Sequence, residues 1–405
     1  MQHSEISPST EELLVLEHTF WHGPVSRNQL MTLTGFSKTK VAGLITHLTA
    51  AGLLKEDHSL QSSGGRRSMG ITLNPTWGYL IGIAIGDAQV KITLADMNFQ
   101  FLDSHHHPLH INSEPVDVLQ QILGGVDRLL KMHHLKPQQV LGTGMGLPGT
   151  VNPRTGPLMH SSQLPSWQGI NIPDFFATKG ISGVLVESDV NLMALGELWH
   201  HRNHHSGSQN ETFLVVKLAT EIRAGIVTQG KLFRGVHGTT GNAGHFCIDP
   251  DGPSCSCGSS GCLEVYAGAP ALLKTARDNA LRHDHVFFKK CLEDHTQITL
   301  EDLMQACQNG DTTANQIVQM AGHRVGHMVA ALVNFFNPSH ILIGGKVAHI
   351  SPRMLTSICQ GVYVHGLPQS TRNLRIDYTN LGERAVTYGA FALALLGVLR
   401  KGEIH

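Results

Sequence analysis

Net charge is almost absent from this chain: 30 Lys and Arg stand against 31 Asp and Glu, a formal balance of −1 over 405 residues. That excludes a global positive field for nucleic acid, so such a partner has to be served by a local patch. The start, "MQHSEISPSTEELL", lacks the basic segment and apolar run of a secretory leader. Long hydrophobic runs are missing too. The longest, "AFALALLGVL", covers 390–399, against the roughly 20 residues a membrane-spanning helix needs. These absences predict a cytoplasmic protein with no membrane insertion. Cysteine is also scarce, with seven residues in all, and in a reducing compartment clustered thiols bind metal more often than they form disulfides.

Four of those seven fall in "GHFCIDPDGPSCSCGSSGC", residues 244–262. His245, Cys255, Cys257 and Cys262 read H-x9-C-x-C-x4-C, one imidazole and three thiols that would close a tetrahedral zinc shell with no open position. Gly258 and Gly261 permit the positive φ angles by which a short loop folds back on an ion. Cys247 sits at a less compact spacing and is left out. The expectation is one structural, non-catalytic zinc per chain. The remaining histidine clusters, "HHH" (105–107), His133–His134 and "HHRNHH" (200–205), lack mixed ligands at a fixed spacing and read as solvated surface in or beside connecting segments.

A local absence matters more for function. No acidic residue lies between Glu17 and Glu56, while Arg27, Lys38, Lys40 and Lys55 do. The same stretch has the plan of a helix-turn-helix. A helix over 9–23 carries the apolar stripe Leu13, Leu14, Leu16, Phe20 and Trp21, and a second starts near Pro24 and Ser26 and breaks at Gly35. The third is capped by Ser37 and repeats Val41, Leu44, Ile45 and Leu48 at helical spacing. In that plan the N-terminal residues of the last helix meet base edges, here Ser37, Lys38, Thr39 and Lys40. Residues 53–75 then read as strand, glycine-bearing turn, strand: a wing with Arg66 and Arg67 near its tip, suited to phosphates or the minor groove. Arg27 completes the predicted DNA-contacting set.

From residue 79 onward, strands and helices alternate in a pattern that repeats, predicting two α/β lobes around a cleft. Strands are expected over 79–103, 140–151 and 183–189, then over 213–219, 224–230, 340–345 and 374–379. Helices are expected over 114–134, after 189, and from about 384. The zinc loop together with "GMGLPGTV", "VESDVNLMALGE", "GNAGH", "GCLE" and "NPSHILIGG" resembles the ROK family of bacterial repressors and sugar kinases, and the winged head makes the chain similar to its NagC/Mlc-type regulators.

The resemblance implies an α/β architecture: an N-terminal winged helix-turn-helix (1–76) before a two-lobed, actin-like (RNase H-like) ROK domain with a structural zinc loop. Lobe I would comprise 77–189 and 384–405, and lobe II 190–383 with the loop. A sugar would be held in the cleft. The family's five sugar-contacting positions fall here on Ser188 (where Asn is usual), Asp189, Asn242 (where Glu is usual), His245 and Glu264. Two kinase motifs are degraded. The D-x-G-x-T turn is Ala84, Ile85, Gly86, Asp87, Ala88. The second phosphate loop, glycine-rich in kinases, is Ala219, Thr220, Glu221, Ile222, Arg223, Ala224, Gly225. Phosphate cradles need glycine for close backbone approach, and Glu221 would put an anion beside the triphosphate. The chain is therefore expected not to be an enzyme. It would be a homodimeric or homotetrameric DNA-binding regulator of carbohydrate genes, a repressor acting at an inverted-repeat operator under control of a sugar-like effector. The alternatives are control by a protein partner with a vestigial pocket, and a sugar kinase with a fused DNA head.

Overall fold

The computed structural model describes residues 8–57, 70–86, 88–109, 113–152, 156–181, 183–204, 211–282 and 285–400. Arg66, Arg67, Asp87 and His205 lie outside the described residues. The chain divides into two compact units, one of Met1–His160, Ser166–Gly207 and Val386–His405, the other of Ser161–Pro165 and Ser208–Ala385.

The first unit opens with three short helices, each started by its own side-chain cap. Ser9 and Glu12 form a capping box at α1 (Thr10–His22), and Ser26 and Gln29 form another at α2 (Arg27–Thr34). Gly35, at φ +71°, ends α2 in the left-handed conformation that glycine adopts without steric cost. Ser37 caps α3 (Lys38–Ala50). Strand β1 (Leu54–Asp57) pairs antiparallel with β2 (Gly70–Leu73), and Val25 bridges to Ile71. Val15, Leu16, Leu30, Val41, Ile45, Leu48 and Ile71 are buried together as the apolar core of this head. Val15 takes the place in α1 that the sequence pattern assigned to Leu13 and Leu14, both only half-buried.

The first sheet runs β5-β4-β3-β6-β9, made of β3 (Tyr79–Ile85), β4 (Gln89–Asp96), β5 (Phe101–Pro108), β6 (Val140–Leu147) and β9 (Val184–Ser188). The strand expected over 140–151 breaks after Leu147, and Thr150–Val151 (β7) turns aside to pair with Leu158–His160 (β8). Helices α4 (Pro115–Met132), α5 (Ile172–Ala177) and α6 (Asp189–His204) complete this part with the C-terminal helix, Ala385–Leu399. That helix lies directly on the sheet: a Cβ on Gly144 would come within 2.0 Å of the Ala390 carbonyl oxygen. The glycines of "GTGMG" are thus demanded by helix-on-strand packing. The window Gly382–Leu399 has the length and apolarity of a membrane span once its flanks are counted, which the ten-residue core alone did not show, and 61% of it is buried in the fold. All of α6 belongs to the first unit. The boundary expected at 189/190 would cut this helix at its first turn, where backbone hydrogen bonding is continuous.

The head packs on this lobe through aromatic rings. Phe20 of α1 lies 5.6 Å from Phe99, which contacts Trp199 of α6 at 4.8 Å. The Arg202 guanidinium sits 4.7 Å over the Trp21 ring, and Arg400 pairs with Glu17. His22, part of this packing, has its pKa pushed down from 6.5 to about 4 by burial, helped by the nearby Arg202 and His18. The folded state therefore holds His22 neutral while the unfolded chain protonates near 6.5. This contribution to stability is whole above pH 6.5, is lost as pH falls toward 4, and changes no further below that. His22→Gln is expected to flatten that limb of a Tm-versus-pH curve, by about 1 kcal/mol after allowing for solvent screening. An unchanged acid limb would remove His22 from the account.

The second unit repeats the sheet plan. Its order β12-β11-β10-β13-β14 mirrors the first, with antiparallel neighbours on one side of the central strand and parallel ones on the other. The strands are β10 (Phe213–Leu218), β11 (Ile222–Thr228), β12 (Lys231–Leu232), β13 (His340–Gly344) and β14 (Arg375–Tyr378). Between β12 and β13 come the loop carrying His245, Cys255, Cys257 and Cys262 and helices α7 (Glu264–Ala267), α8 (Ala269–Arg282), α9 (Val286–His295), α10 (Leu300–Gln308) and the long α11 (Thr312–Phe336); α12 (Pro352–His365) and α13 (Pro368–Thr371) precede β14. N-terminal helices followed by two mixed five-stranded sheets make this an α/β chain of the expected architecture.

Candidate metal centre and candidate binding residues

The loop from Gly244 to Cys262 is shaped by tight turns. Gly258 and Gly261 both have positive φ (+89° and +65°), and a Cβ on Gly261 would lie 1.5 Å from the Asp249 carbonyl oxygen. Those turns bring the ligand atoms of His245, Cys255, Cys257 and Cys262 within 4.8 Å of one another. Cys257 Sγ is 3.6 Å from Cys262 Sγ, and Cys255 Sγ is 3.6 Å from His245 Nδ1. A tetrahedron with Zn–S about 2.3 Å and Zn–N about 2.0 Å has S···S edges of about 3.8 Å and S···N edges of about 3.5 Å, so the four donors fit such an ion. Burial and the neighbouring sulfurs push the Cys262 thiol up to about 12 when no cation balances them. Three thiolates therefore need a dication among them. Cys247 stays outside, its thiol donating to the Ser260 carbonyl.

Among the described residues this is the one group of three or more metal-capable side chains brought together. Of the other histidine clusters, His133–His134 lie in a connecting segment, the turn that follows α4, as expected, and the other two do not. His105–His107 lie in edge strand β5, and His200–His204 form the last turns of α6. The alternating burial of β5 directs Asp103, His105 and His107 to one face, where Asp103 meets His133 at 3.2 Å.

The loop is itself held down. Tyr266 donates to Asp249 (2.8 Å), Arg324 of α11 sits 4.4 Å over the Tyr266 ring, and Phe246 meets the His327 ring edge-on. This places His245 and Glu264 on one rigid support. Glu264 starts α7 and accepts from the Ile222 backbone N–H at 3.1 Å, and burial raises its carboxyl above the ordinary carboxylate range. Gly244 allows that approach, since a Cβ there would be 2.7 Å from Glu264 Oε2. With Nδ1 turned to the metal shell, His245 keeps Nε2 for a second partner. Asn242 is exposed and donates to the Thr239 carbonyl.

Ser188 and Asp189 lie in the first unit, where β9 ends and α6 begins. Asp189 accepts from the Val190 N–H at 2.7 Å. Ser188 is 2% exposed, and its hydroxyl has no hydrogen-bond partner among the described residues. A buried hydroxyl left so costs about 1–3 kcal/mol, which a ligand hydroxyl would recover. Glu221, which the sequence presents as an anion in the degraded phosphate loop, and Arg223 beside it are buried and engaged: Glu221 accepts from the Ser162 N–H (2.9 Å) and hydroxyl (2.5 Å), with Arg223 3.9 Å away.

In the head, Lys38 and Thr39 are exposed at the start of α3, and the Ser37 hydroxyl caps the helix by accepting from the Lys40 N–H. The acid-free stretch is less isolated than its sequence: Glu11 of α1 pairs with Lys40, and Glu56 pairs with Arg27 at 2.7 Å. Sequence distance hid both contacts, which join residues 29 apart.

Comparison with known proteins adds a lineage to this geometry. The chain is 26% identical over 395 residues to the xylose repressor of Caldicellulosiruptor bescii, covering 96% of each protein. It is 27% identical over 382 residues to the DNA-binding transcriptional dual regulator NagC of Escherichia coli, covering 93% of this chain and 90% of NagC. The crystal structure of a ROK family transcriptional regulator, a homologue of the E. coli Mlc protein, superimposes with a TM-score of 0.79 at 25% identity over 97% of both chains. Residues 80–396 match the ROK family as a whole, so the paired sheets and the loop of one histidine and three cysteines have their setting: this chain belongs to the ROK family.

Proposed function

We propose that this protein is a DNA-binding transcriptional regulator that represses carbohydrate-utilisation genes and is released by a sugar or sugar phosphate. The observation that carries this reading is the capped three-helix head with its paired strands, joined to a ROK body in one chain that resembles repressors over nearly its whole length. Lys38 and Thr39 would meet base edges, with Ser37 fixing the helix start. Arg27, Lys40, Arg66 and Arg67 would meet phosphates or the minor groove. Two heads of a homodimer or homotetramer would engage the half-sites of an inverted repeat. Ser188, Asp189, Asn242, His245 and Glu264 would hold the effector, with one structural zinc supporting the last two.

The protein acts by binding, not by phosphoryl transfer. Glu221, which accepts from Ser162 beside Arg223, supports this reading: an inward carboxylate is a poor neighbour for phosphate groups. An effector shifts operator affinity only by binding the DNA-competent and released states unequally, and 1–3 kcal/mol of coupling corresponds to about 5–150-fold. The test is sequencing of genomic fragments retained by the purified protein in moderate salt with competitor DNA. A few discrete sites with inverted symmetry, emptied by a sugar, are expected. Diffuse, salt-sensitive retention alone would overturn the regulator reading.

A further inference from the structure

We propose that Gln163 is a specificity-determining contact of the effector site, reading ligand hydroxyls through a carboxamide that the protein itself leaves unpaired. The inference rests on the sugar-effector reading above. Gln163 is 7% exposed, and neither its Oε1 nor its Nε2 has a hydrogen-bond partner among the described residues. A buried carboxamide has an acceptor oxygen and two donor hydrogens, and leaving both ends unmet is among the costlier arrangements in a folded protein. Slack in the backbone does not explain it. The Ser161 hydroxyl accepts from the N–H groups of both Gln163 (3.2 Å) and Leu164 (3.1 Å), and Ser162 is fastened to Glu221 through its N–H and hydroxyl. The main chain is thus clamped on each side of a side chain that has no internal task.

The clamp also locates it. Residues 161–165 belong to the second unit, although the chain on either side belongs to the first. Glu221, which grips Ser162, is followed by Ile222, whose N–H holds Glu264 Oε2. Glu221, the anchor of Ser162 next to Gln163, and Ile222, the anchor of Glu264, are therefore consecutive residues where β11 begins. A ligand group that both donates and accepts, such as a sugar hydroxyl or an acetamido substituent, matches the unmet atoms, whereas an apolar group does not.

The test compares the wild-type chain with Gln163→Met, close in volume and unable to hydrogen-bond through its tip, and with Gln163→Asn, which keeps the amide and retracts it by one methylene. Tm is measured without ligand and then with D-xylose, D-glucose, D-mannose, N-acetyl-D-glucosamine and their phosphates; Kd is determined for every sugar that shifts the wild type. Without ligand, Gln163→Met is expected to be as stable as wild type or more so, because it removes an unsatisfied buried amide. Its Kd for the preferred sugar is expected to rise about tenfold or more, and Gln163→Asn is expected to re-rank the epimers. A lowered ligand-free Tm in Gln163→Met would show a structural amide and overturn the assignment. Unchanged affinities and ranking in both variants would overturn it while leaving the effector reading intact. No shift of the wild type by any of these sugars would overturn the effector reading itself, and this assignment with it.

Discussion

Cys257→Ser is expected to lower bound zinc from one per chain to near zero, with a large fall in the stability of the second unit. Cys257 is the exposed member of the shell, so this substitution removes a ligand without opening a cavity and its effect reports the metal. Structural zinc contributes about 10–16 kcal/mol in isolated finger peptides. Here the loss should be smaller, because Tyr266, Asp249, Arg324 and Phe246 also hold the loop. Several kcal/mol is still a large share of the roughly 5–15 kcal/mol that keeps a domain folded. Metal analysis and calorimetry on Cys257→Ser and Cys247→Ser decide the matter. Cys247 lies outside the shell, so its variant should keep both metal and Tm. Stoichiometric zinc in Cys257→Ser would remove that residue from the ligand set. Because His245 and Glu264 ride on the loop, loss of the ion should also abolish the response to effector.

The double variant Lys38→Ala, Thr39→Ala is expected to weaken operator binding by a hundredfold or more with little change in Tm. Both side chains are exposed at the first turn of α3, and the cap that starts the helix belongs to Ser37, so the fold does not depend on them. Removing a side chain that reads a base edge costs about 1–3 kcal/mol. The Glu11–Lys40 pair supplies a control of opposite sign: Glu11→Gln frees Lys40 and removes an acid beside the proposed base-reading turn, so affinity should rise and the salt dependence steepen. Fluorescence anisotropy across a salt series measures both. Unchanged specific binding in the double variant would mean that α3 does not enter the groove by its N-terminus.

Local chemistry explains which parts of this molecule can be read from residues alone. Ser9, Ser26 and Ser37 begin helices because a hydroxyl satisfies backbone N–H groups three residues on, and Gly35 ends one because it tolerates positive φ. The spacing of His245, Cys255, Cys257 and Cys262 is legible for the same reason, since a short loop with glycines at its turns has few ways to close. The α1 stripe is less so. A pattern of Leu13 and Leu14 cannot show that Val15 faces the core until the partners of α1 are known.

What the sequence by itself determined was most of the elements, the grouping of one histidine with three cysteines, the capped start of α3 and the family: each rests on interactions within a few residues or on motifs of fixed spacing. Only the tertiary structure decided which distant groups neutralise or strand one another. It brought Glu11 to Lys40, packed Phe99 and Arg202 against the head, laid the C-terminal helix on Gly144, and left Ser188 and Gln163 buried without partners among the described residues. Burial and pairing depend on what the rest of the chain places nearby, and no local pattern carries that information.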